Sequence, residues 1–274
     1  MKDAPLVTVI VPTYNSAKTI ERCLASIEQQ TYPNIEVVLI DGGSTDDTAS
    51  IAARFNARVH ICPGMGRTAA TNHGIKHSRG RYVYRVDSDV VLDHTIVEEC
   101  FATCSDKRAD AVCVVWTPDP TISFWAKVRK LENDSYANNP FPRGARFFRR
   151  EVIISVGCFD PELAVGEDYD LYNKLVRRGF RIDIVGSRET HIGEPRHIVD
   201  VLRKQYAYGI TLKAFLKANQ SVGMVQMWPF RSALLKNWEA FARHPALTVG
   251  FVIYELVSYA AAILGLVVSM IESD

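Results

Sequence analysis

The sequence predicts an α/β fold in which a mostly parallel β-sheet is flanked by helices, followed by amphipathic helices and a C-terminal transmembrane helix. Strand-like and helix-like segments alternate through about the first 190 residues, which is the pattern of βαβ units. Polar residues stand directly after several apolar runs. Between Leu247 and Ile271 the only charged residue is Glu255, and this run exceeds the roughly 20 residues that cross a bilayer core.

Short apolar runs that break at polar or glycine-containing loops are predicted as strands. The first run ends at Pro12, and the second ends at Asp41, directly before Gly42 and Gly43. A further strand-like stretch, Arg181–Val185, comes late in the domain. The other predicted strands are Leu6–Val11, Glu36–Ile40, Val59–Ile61, Tyr82–Val86 and Ala111–Trp116.

Apolar residues at helical spacing predict the intervening helices. The first helix starts at about Ser16 and places Leu24 and Ile27 on one face. Residues 45–47, Thr-Asp-Asp, are suited to cap the second. The predicted helices run from about Ser16, from the Thr45 cap to about Phe55, over Arg67–Ser78 and over Glu167–Gly179.

Charge and cysteine content exclude some classes of partner. Lys and Arg total 32 against 31 Asp and Glu, a formal charge of +1, so no overall field attracts nucleic acid and none is expected as a partner. The six cysteines form no CxxC pair and are interpreted as small buried residues in a reducing compartment. Cys100 and Cys104 lie one helical turn apart, which leaves a metal or redox role open. The polar start of the chain does not resemble a signal peptide.

Three regions are predicted along the chain: a catalytic domain over residues 1–195, amphipathic interfacial helices over 196–244 and a transmembrane helix over 245–271. Ile198–Lys217 and Phe230–His244 mix basic residues with Trp, Tyr, Phe and Leu, which is typical of helices in a membrane interface. Ordinary surface helices packed on the main domain are the alternative. The catalytic domain is then expected on the cytoplasmic side of a membrane.

Three polar loops follow predicted strands and are expected to share one edge of the sheet, where ligands of open parallel sheets bind. The first could receive a base and ribose, and the second offers a carboxylate to either. The third carries two carboxylates in an Asp-x-Asp sequence, which suits Mg²⁺ or Mn²⁺ beside a departing nucleoside diphosphate. The loops are Pro12-Thr13-Tyr14-Asn15, Asp41-Gly42-Gly43-Ser44 and Asp87-Ser88-Asp89.

Together with later motifs, these loops resemble the family 2 inverting glycosyltransferases of the GT-A fold, a Rossmann-like sheet with flanking helices. The resemblance covers about residues 5–190 and extends to membrane-associated members that use polyprenyl or dolichyl phosphate and to the catalytic domain of cellulose synthases. The motifs are Val9 to Asn15, Ile40 to Thr48, Asp87-Ser88-Asp89, Gly157-Cys158-Phe159-Asp160 and Gly166-Glu167-Asp168.

The resemblance implies a role for each matching residue around a nucleotide-sugar donor. Arg67 would lie near the nucleotide or the diphosphate. Asp87 would face the donor, and Asp89 would be the principal ligand of Mn²⁺ or Mg²⁺, with Asp87 beside it. The nucleotide pocket would be lined by Pro12, Tyr14, Asn15 and Asp41.

The general base is expected at the start of the Glu167–Gly179 helix. Inversion requires a carboxylate within reach of the acceptor hydroxyl. Asp168 would supply it with Glu167 beside it, because a helix N-terminus keeps a carboxylate ionised. The alternative is a pair of acidic residues that only caps the helix.

Four further positions, in three segments, carry two interpretations each. His191 would be a third metal or diphosphate ligand, or else a loop histidine with a structural hydrogen bond. Arg203 and Gln205 would lie near the donor diphosphate, or else the basic and aromatic segment around them binds lipid head groups. Gly144, within the arginine-rich segment 141–150, would contact the donor sugar or the acceptor, and a solvated basic loop is the alternative.

These inferences predict a metal-dependent hexosyltransferase. It would move mannose or glucose from a GDP- or UDP-sugar to a lipid-linked acceptor, such as dolichyl or polyprenyl phosphate or a lipid-linked glycan. The alternatives are a polysaccharide-chain glycosyltransferase and a catalytically inactive nucleotide-sugar-binding protein of the same fold. A dinucleotide-dependent oxidoreductase is disfavoured, because no GxGxxG turn follows the first strand.

Overall fold

The computed structural model describes residues 4–135, 144–163, 166–218 and 237–271. An eight-stranded sheet is its central feature, with the strand order β3-β2-β1-β4-β7-β6-β8-β5. Helices follow most of the strands along the chain, which confirms the predicted α/β class. The strands are β1 (Val7–Thr13), β2 (Ile35–Asp41), β3 (Ala57–Ile61), β4 (Tyr82–Arg85), β5 (Val90–Leu92), β6 (Ala111–Pro118), β7 (Ala145–Arg149) and β8 (Ile182–His191).

Ten helices are defined within the described residues, and we number them in chain order. The first three connect the parallel strands β1 to β4. They are α1 (Ile20–Glu28), α2 (Thr48–Ala52), α3 (Arg67–His77), α4 (Ile96–Asp106), α5 (Phe124–Ser135), α6 (Arg150–Ser155), α7 (Glu167–Arg177), α8 (Ile198–Ala218), α9 (Trp238–Arg243) and α10 (Pro245–Ile271).

The first four strands form the parallel part of the sheet, with β1 at its centre. Strand β1 pairs in parallel with β2 and β4, and β2 pairs in parallel with β3. All seven residues of β1 are buried, which explains why its sequence is a continuous apolar run rather than an alternating one. Val9 and Val11 pack on one face of the sheet and Ile10 on the other, as the period of two requires.

The other strands add antiparallel pairs that bring late segments of the chain beside β4. Strand β7 lies antiparallel to β4 and to β6, and β5 lies antiparallel to β8. The short strands β5 and β7 were not predicted from the sequence. The stretch predicted as strand-like over Arg181–Val185 extends to His191, so this histidine ends a strand and is not a loop residue.

Two predicted boundaries are corrected by the structure. The first helix begins at Ile20 rather than at about Ser16, because residues 16–19 form a turn in which the Thr19 and Ile20 amides both donate to the Ser16 carbonyl. Residues 145–149 of the arginine-rich segment form β7, with Phe147 and Phe148 fully buried, rather than a solvated basic loop.

The cysteines described here are all reduced, and most lie in the core. Cys100 and Cys104 face the apolar cluster under the sheet. Burial raises the pKa of the Cys104 thiol to about 12, so this side chain stays protonated at neutral pH. Both residues therefore act as small apolar side chains, in agreement with the first interpretation of the sequence.

The described residues divide into two compact units. The first contains the sheet and consists of residues up to Trp116 together with 142–161 and 167–193, and the second consists of 117–141, 162–166 and the chain from Glu194 onwards. Within the second unit, α10 packs against α5 and along α8. A Cβ atom on Gly209 would lie 2.1 Å from the Ala262 carbonyl oxygen, so the backbones of α8 and α10 are in direct contact. The predicted three-region division stays a prediction.

Helix α10 is long and apolar enough to span a membrane by length and composition, and only 17% of its most apolar window is buried within the molecule. Its outward-facing large side chains include Val249, Val252, Leu256 and Ile263. A hydrophobic helix with an exposed apolar surface of this kind is a candidate membrane span.

We predict that Gly80→Ala destabilises the sheet unit by about 1–3 kcal/mol, the usual cost of overpacking. An added Cβ would lie 2.6 Å from the Thr8 amide nitrogen and 2.7 Å from the Tyr82 carbonyl oxygen, and neither backbone atom can move without disturbing β1 or β4. Urea denaturation measures the change. Gly186→Ala is the matched control, since nothing lies within 4 Å of its Cβ position. Equal stability of the two variants would contradict this account of the packing.

Candidate active site

The three polar loops lie together at the carboxyl edge of the parallel strands. Thr13 at the end of β1 is in register with Asp41 at the end of β2. The Val86 amide, just after β4, donates to the Ile10 carbonyl of β1. The hydroxyls of Ser16 and Ser88 share a hydrogen bond of 2.8 Å between the first and third loops. The sheet thus brings together the residues that the sequence predicted to converge.

The first loop presents Tyr14 to solvent and fixes Asn15 in a left-handed conformation. Pro12 is buried at the end of β1, whereas the Tyr14 side chain is 61% exposed. Asn15 has φ 48°, a region in which Asn is enriched. Its amide donates to the Ser44 hydroxyl at 2.8 Å, and its side-chain oxygen accepts from the Thr45 amide at 2.9 Å. The exposed ring is therefore held on a rigid loop, where it can stack on a base.

Asp41 organises the second loop through one of its two carboxylate oxygens. Its side chain is only 1% exposed. Oδ1 accepts hydrogen bonds from the Gly43 amide at 3.2 Å, the Ser44 amide at 2.9 Å and the Ser44 hydroxyl at 2.6 Å. Because these three bonds all fall on Oδ1, Oδ2 is the oxygen suited to accept from a ligand hydroxyl or N–H.

Asp87 is held by two arginines at the start of the third loop. Its Oδ1 accepts from Arg85 at 3.1 Å, and its Oδ2 accepts from Arg146 at 2.8 Å. Burial by itself would raise the pKa of Asp87, but the guanidinium groups of Arg85 and Arg146 lower it well below its usual value. Asp87 is therefore a buried anion whose two oxygens are both already engaged.

Glu189 of β8 completes this buried charge cluster. Its Oε1 accepts from the Tyr84 hydroxyl at 2.7 Å, and its Oε2 lies 3.3 Å from Nε of Arg146. Glu189 is fully buried, and burial raises its pKa, an effect that Arg146 and the Tyr84 hydroxyl partly offset. We refer to Arg85, Asp87, Arg146 and Glu189 as the buried ion cluster. Sequence reasoning missed Arg85 and Glu189, although a charged residue within an apolar strand is a usable indication of such pairing.

Asp89 differs from Asp87 because its carboxylate is partly open. Its side chain is 32% exposed, and its Oδ1 lies 3.5 Å from Nε2 of His191. The Ile192 amide donates to the Asp89 carbonyl at 2.8 Å, which ties the end of β8 to the loop. A Cβ on Gly193 would lie 2.1 Å from Oδ2 of Asp89, so glycine is required beside this carboxylate. An oxygen and an imidazole nitrogen that converge in this way fit a divalent cation such as Mn²⁺.

The two acidic residues at the start of α7 also occupy different environments. Oε1 of Glu167 lies 2.6 Å from Arg67 and 3.2 Å from Arg85, and its side chain is 3% exposed. Burial and the adjacent Asp168 raise the pKa of Glu167, and the two arginines partly offset this. Asp168 is half-buried, and a Cβ added to Gly144 would lie 2.5 Å from the Cβ of Asp168. Arg67 pairs with Glu167, and its predicted place near the nucleotide or the diphosphate stays a prediction.

The remaining predicted residues lie in the second unit or outside the described chain. Arg203 is exposed and Gln205 is half-buried on α8, and their place near the diphosphate stays a prediction. Residues 141–143 of the arginine-rich segment and 230–236 of the second amphipathic segment lie outside the described residues.

The fold is an α/β sheet with polar loops converging at its carboxyl edge, and comparison with known proteins identifies the family. Residues 8–160 match glycosyl transferase family 2. The chain belongs to glycosyl transferase family 2, which confirms the prediction of a glycosyltransferase.

Curated relatives agree with this assignment. Glycosyltransferase AglE of Haloferax volcanii is 27% identical over 266 residues, 90% of this chain and 81% of AglE. Glycosyltransferase GlyG of Streptococcus pneumoniae is 36% identical over 113 residues. That match covers 39% of this chain and 38% of GlyG, so the chain spans well under two thirds of this relative.

Solved structures show the same fold. The mannosyltransferase PcManGT of Pyrobaculum calidifontis, in complex with GDP-Man and Mn²⁺, superposes with a TM-score of 0.63 at 21% identity, covering 98% of this chain and 88% of that one. TarS of S. aureus in complex with UDP-GlcNAc gives a TM-score of 0.54 at 18% identity, covering 82% of this chain and 76% of that one. The predicted GT-A fold is confirmed.

We predict that Arg146→Met destabilises the sheet unit by about 3–5 kcal/mol, because Asp87 and Glu189 would remain buried after losing a shared cation. Arg54→Met is the matched control, since Arg54 forms an exposed ion pair with Glu21 and its loss should cost at most about 1 kcal/mol. Urea denaturation of both variants gives the comparison. Similar losses in the two variants would show that the buried ion cluster does not have this structural importance.

Proposed function

We propose that this chain is a metal-dependent inverting hexosyltransferase that moves mannose or glucose from a GDP- or UDP-sugar to a lipid-linked acceptor. The observation that carries the proposal is the convergence of three loops at one sheet edge, where Asp89 and His191 lie 3.5 Å apart. A nucleotide pocket, a cation site and a helix-borne carboxylate are the parts that such a transfer needs.

The donor would bind along the first two loops. The exposed ring of Tyr14 is suited to stack on a base, with buried Pro12 and rigid Asn15 shaping the wall of the pocket. Oδ2 of Asp41 would accept a hydrogen bond from the base or ribose. Because the loop is already hydrogen-bonded in this conformation, little ordering entropy would be lost on binding.

Asp89 and His191 would hold Mn²⁺ or Mg²⁺. When bound, the ion would neutralise the charge that develops on the departing diphosphate. Asp87 was predicted as a second ligand, but its oxygens bond to Arg85 and Arg146, so we assign it to positioning the loop that carries Asp89. Arg67, with a side chain 41% exposed, is our candidate for a phosphate contact.

Asp168 would accept the proton from the attacking hydroxyl. Glu167 is committed to Arg67 and Arg85 and is buried, so it holds the start of α7 in place. Asp168 is the less buried of the two carboxylates, and its side chain packs closely on Gly144, where an added Cβ would lie 2.7 Å from Oδ2. We place the donor sugar and the acceptor on the accessible side of Asp168.

The choice of sugar and acceptor draws on the relatives. PcManGT was solved with GDP-Man and Mn²⁺, whereas TarS was solved with UDP-GlcNAc, so both bases enter the proposal. A polysaccharide-chain transferase is the second candidate, since chondroitin synthase of Pasteurella multocida is 37% identical over 64% of this chain. The match covers only 19% of that synthase. The length of the product distinguishes these two candidates. Transfer to a lipid-linked acceptor should add one sugar, whereas a polysaccharide-chain transferase should give products with a series of chain lengths.

We predict that Asp89→Asn and Asp168→Asn fail in different ways. Asp89→Asn should remove the Mn²⁺ dependence of GDP or UDP binding, because the ion and the diphosphate share this carboxylate. Asp168→Asn should leave nucleotide binding nearly unchanged and lower turnover by about 10²-fold or more, the usual scale for a lost general base. Calorimetry measures binding, and release of the nucleoside diphosphate measures turnover.

Asp170→Asn is the matched control on the same helix, because Asp170 pairs with Lys174 at 2.7 Å one turn further on. It should retain binding and turnover. Equal nucleotide affinity in excess chelator would remove the cation from the proposal. Near-normal turnover of Asp168→Asn would move the base to another residue.

We also propose that α10 anchors the chain in a membrane with the sheet unit on the cytoplasmic side. Its exposed apolar side chains and the low buried fraction of its central window support this. Glu255 is the eleventh of the 27 residues of this helix and lies close to its middle, where a single carboxylate costs at least about 2.5 kcal/mol, which about twenty apolar neighbours can outweigh. A lipid-linked acceptor would then share the membrane with the enzyme.

We predict that the full chain sediments with membranes and resists a high-salt wash. The double variant Leu256→Asp, Ile263→Asp should be released into the soluble fraction, because each charge costs about 2.5–3.5 kcal/mol within a bilayer. Both side chains face outward, at 66% and 59% exposed, so packing within the molecule is preserved. Val176→Asp on α7 is the control for an added surface charge. Wild-type protein found wholly in the soluble fraction without detergent would contradict the membrane anchor.

A further inference from the structure

Three histidines come together on the sheet unit, outside the proposed donor and base sites. His60 lies on the edge strand β3, and His73 and His77 lie on α3. Residues four apart on a helix share a face, so both α3 histidines can point towards β3. Their rings stack with centroids 4.1 Å apart, and each ring also contacts that of His60. No step of the proposed transfer uses them.

Their nitrogens have the spacing of metal ligands. Nε2 of His73 lies 3.4 Å from Nδ1 of His60, and one ring nitrogen of each of the three lies within 4.8 Å of the others. Two imidazole nitrogens bound to one tetrahedral Zn²⁺ at about 2.0–2.1 Å would be roughly 3.3 Å apart. The first pair already has this separation, and small side-chain rotations bring in the third.

The orientation of His77 is fixed in the way that a metal ligand requires. Its Nδ1 lies 2.9 Å from the His73 carbonyl oxygen, which can only accept, so Nδ1 carries the proton. Nε2 then holds the free lone pair. Bonding of one ring nitrogen to a backbone carbonyl is the usual second interaction that orients a metal-binding histidine.

Cys62 can supply a fourth ligand after a side-chain rotation, because its Sγ does not lie within 4.8 Å of all three ring nitrogens. Its Sγ lies 4.0 Å from Nε2 of His73, on the chain just after β3, and the residue is half-buried. About 3.6 Å is expected between sulfur and nitrogen on a tetrahedral zinc ion. Three nitrogens and one sulfur from a β-strand, its following loop and one helix are a set that zinc prefers over Mg²⁺ or Ca²⁺.

One guanidinium group contacts the backbone of the cluster. Arg58 donates to the His77 carbonyl and lies 3.5 Å from Glu36, a carboxylate that Arg79 also contacts at 2.7 Å, so Glu36 offsets part of the charge of both arginines. Lys76 is exposed on the helix. Burial and the neighbouring His77 lower the pKa of His60 and of His73.

We propose that His60, His73 and His77, with Cys62, form a binding site for zinc or a similar transition-metal ion. The site is separate from the hard-cation pair of Asp89 and His191 and differs from it in ligand chemistry. It joins β3 to α3, so the bound ion would fasten the edge of the sheet to the helix that begins at Arg67.

The experiment uses the full chain after dialysis against a chelator. Zn²⁺ should bind with a stoichiometry of one in the presence of excess Mg²⁺. At 100 times its Kd it should raise the Tm by roughly 5–10 °C. Co²⁺ should give the visible absorption of a tetrahedral complex, with a sulfur-to-metal band that Cys62→Ser removes.

His73→Gln and His77→Gln should each lose the Tm rise and the cobalt spectrum, whereas His197→Gln, an exposed histidine elsewhere in the chain, should keep both. Asp89→Asn should keep the site as well. Should either cluster variant fold poorly, the other and Cys62→Ser still test the spectrum. Zinc binding that survives both cluster variants, or that is lost in Asp89→Asn, would overturn the proposal and leave the three rings as a hydrogen-bonded packing group.

Discussion

The need to pair buried charges governs the architecture of this site. Glu189 is fully buried in the sheet unit and the Asp87 side chain is 14% exposed, and an unpaired carboxylate in such a place would cost several kcal/mol. Arg85 and Arg146 supply the compensating charges. Because these residues come from β4, β7, β8 and the loop after β4, the pairing also fixes how those strands meet. The Asp87-Ser88-Asp89 loop is consequently held in one conformation before any ligand arrives.

The pairing of buried charges also gives neighbouring carboxylates different structural roles. In each of two acidic pairs, one member is buried against arginines and the other is more accessible. Asp87 bonds to Arg85 and Arg146 while Asp89 stands beside His191. Glu167 bonds to Arg67 while Asp168 stands beside Gly144. In each pair, the carboxylate bonded to arginine therefore holds the backbone in place, and the more accessible carboxylate remains available for a ligand.

Sequence reasoning recovers the parts of this structure that depend on local pattern. We predicted the apolar run of β1, the turns that end β1 and β2, and the apolar helix α10 to within a few residues. These features depend on the residue types at neighbouring positions of the chain, which the sequence shows directly. The general position of the donor loops followed from the rule for parallel sheets. Their roles remain predictions.

Long-range pairing is what the sequence did not reveal. Arg146 was seen only as part of a basic segment, since nothing local shows that β7 lies antiparallel beside β4. Glu189 likewise meets Tyr84 through strand order alone. The histidine cluster was not predicted from the sequence, because a loop separates His60 from the two histidines of α3. Only the packing of α3 against β3 brings their ring nitrogens close together.

The order of the strands has a consequence for how the protein is made. Strand β4 leaves the ribosome long before its partner β7, and Glu189 follows only near the end of the sheet unit. Until then Asp87 has Arg85 for a partner but lacks Arg146. The carboxyl edge of the sheet therefore cannot reach its final form one strand at a time as the chain emerges, because β4 must wait for β7 and β8. Contacts this distant in sequence slow folding, and they make maturation of the catalytic edge one of the last events in the synthesis of the sheet unit.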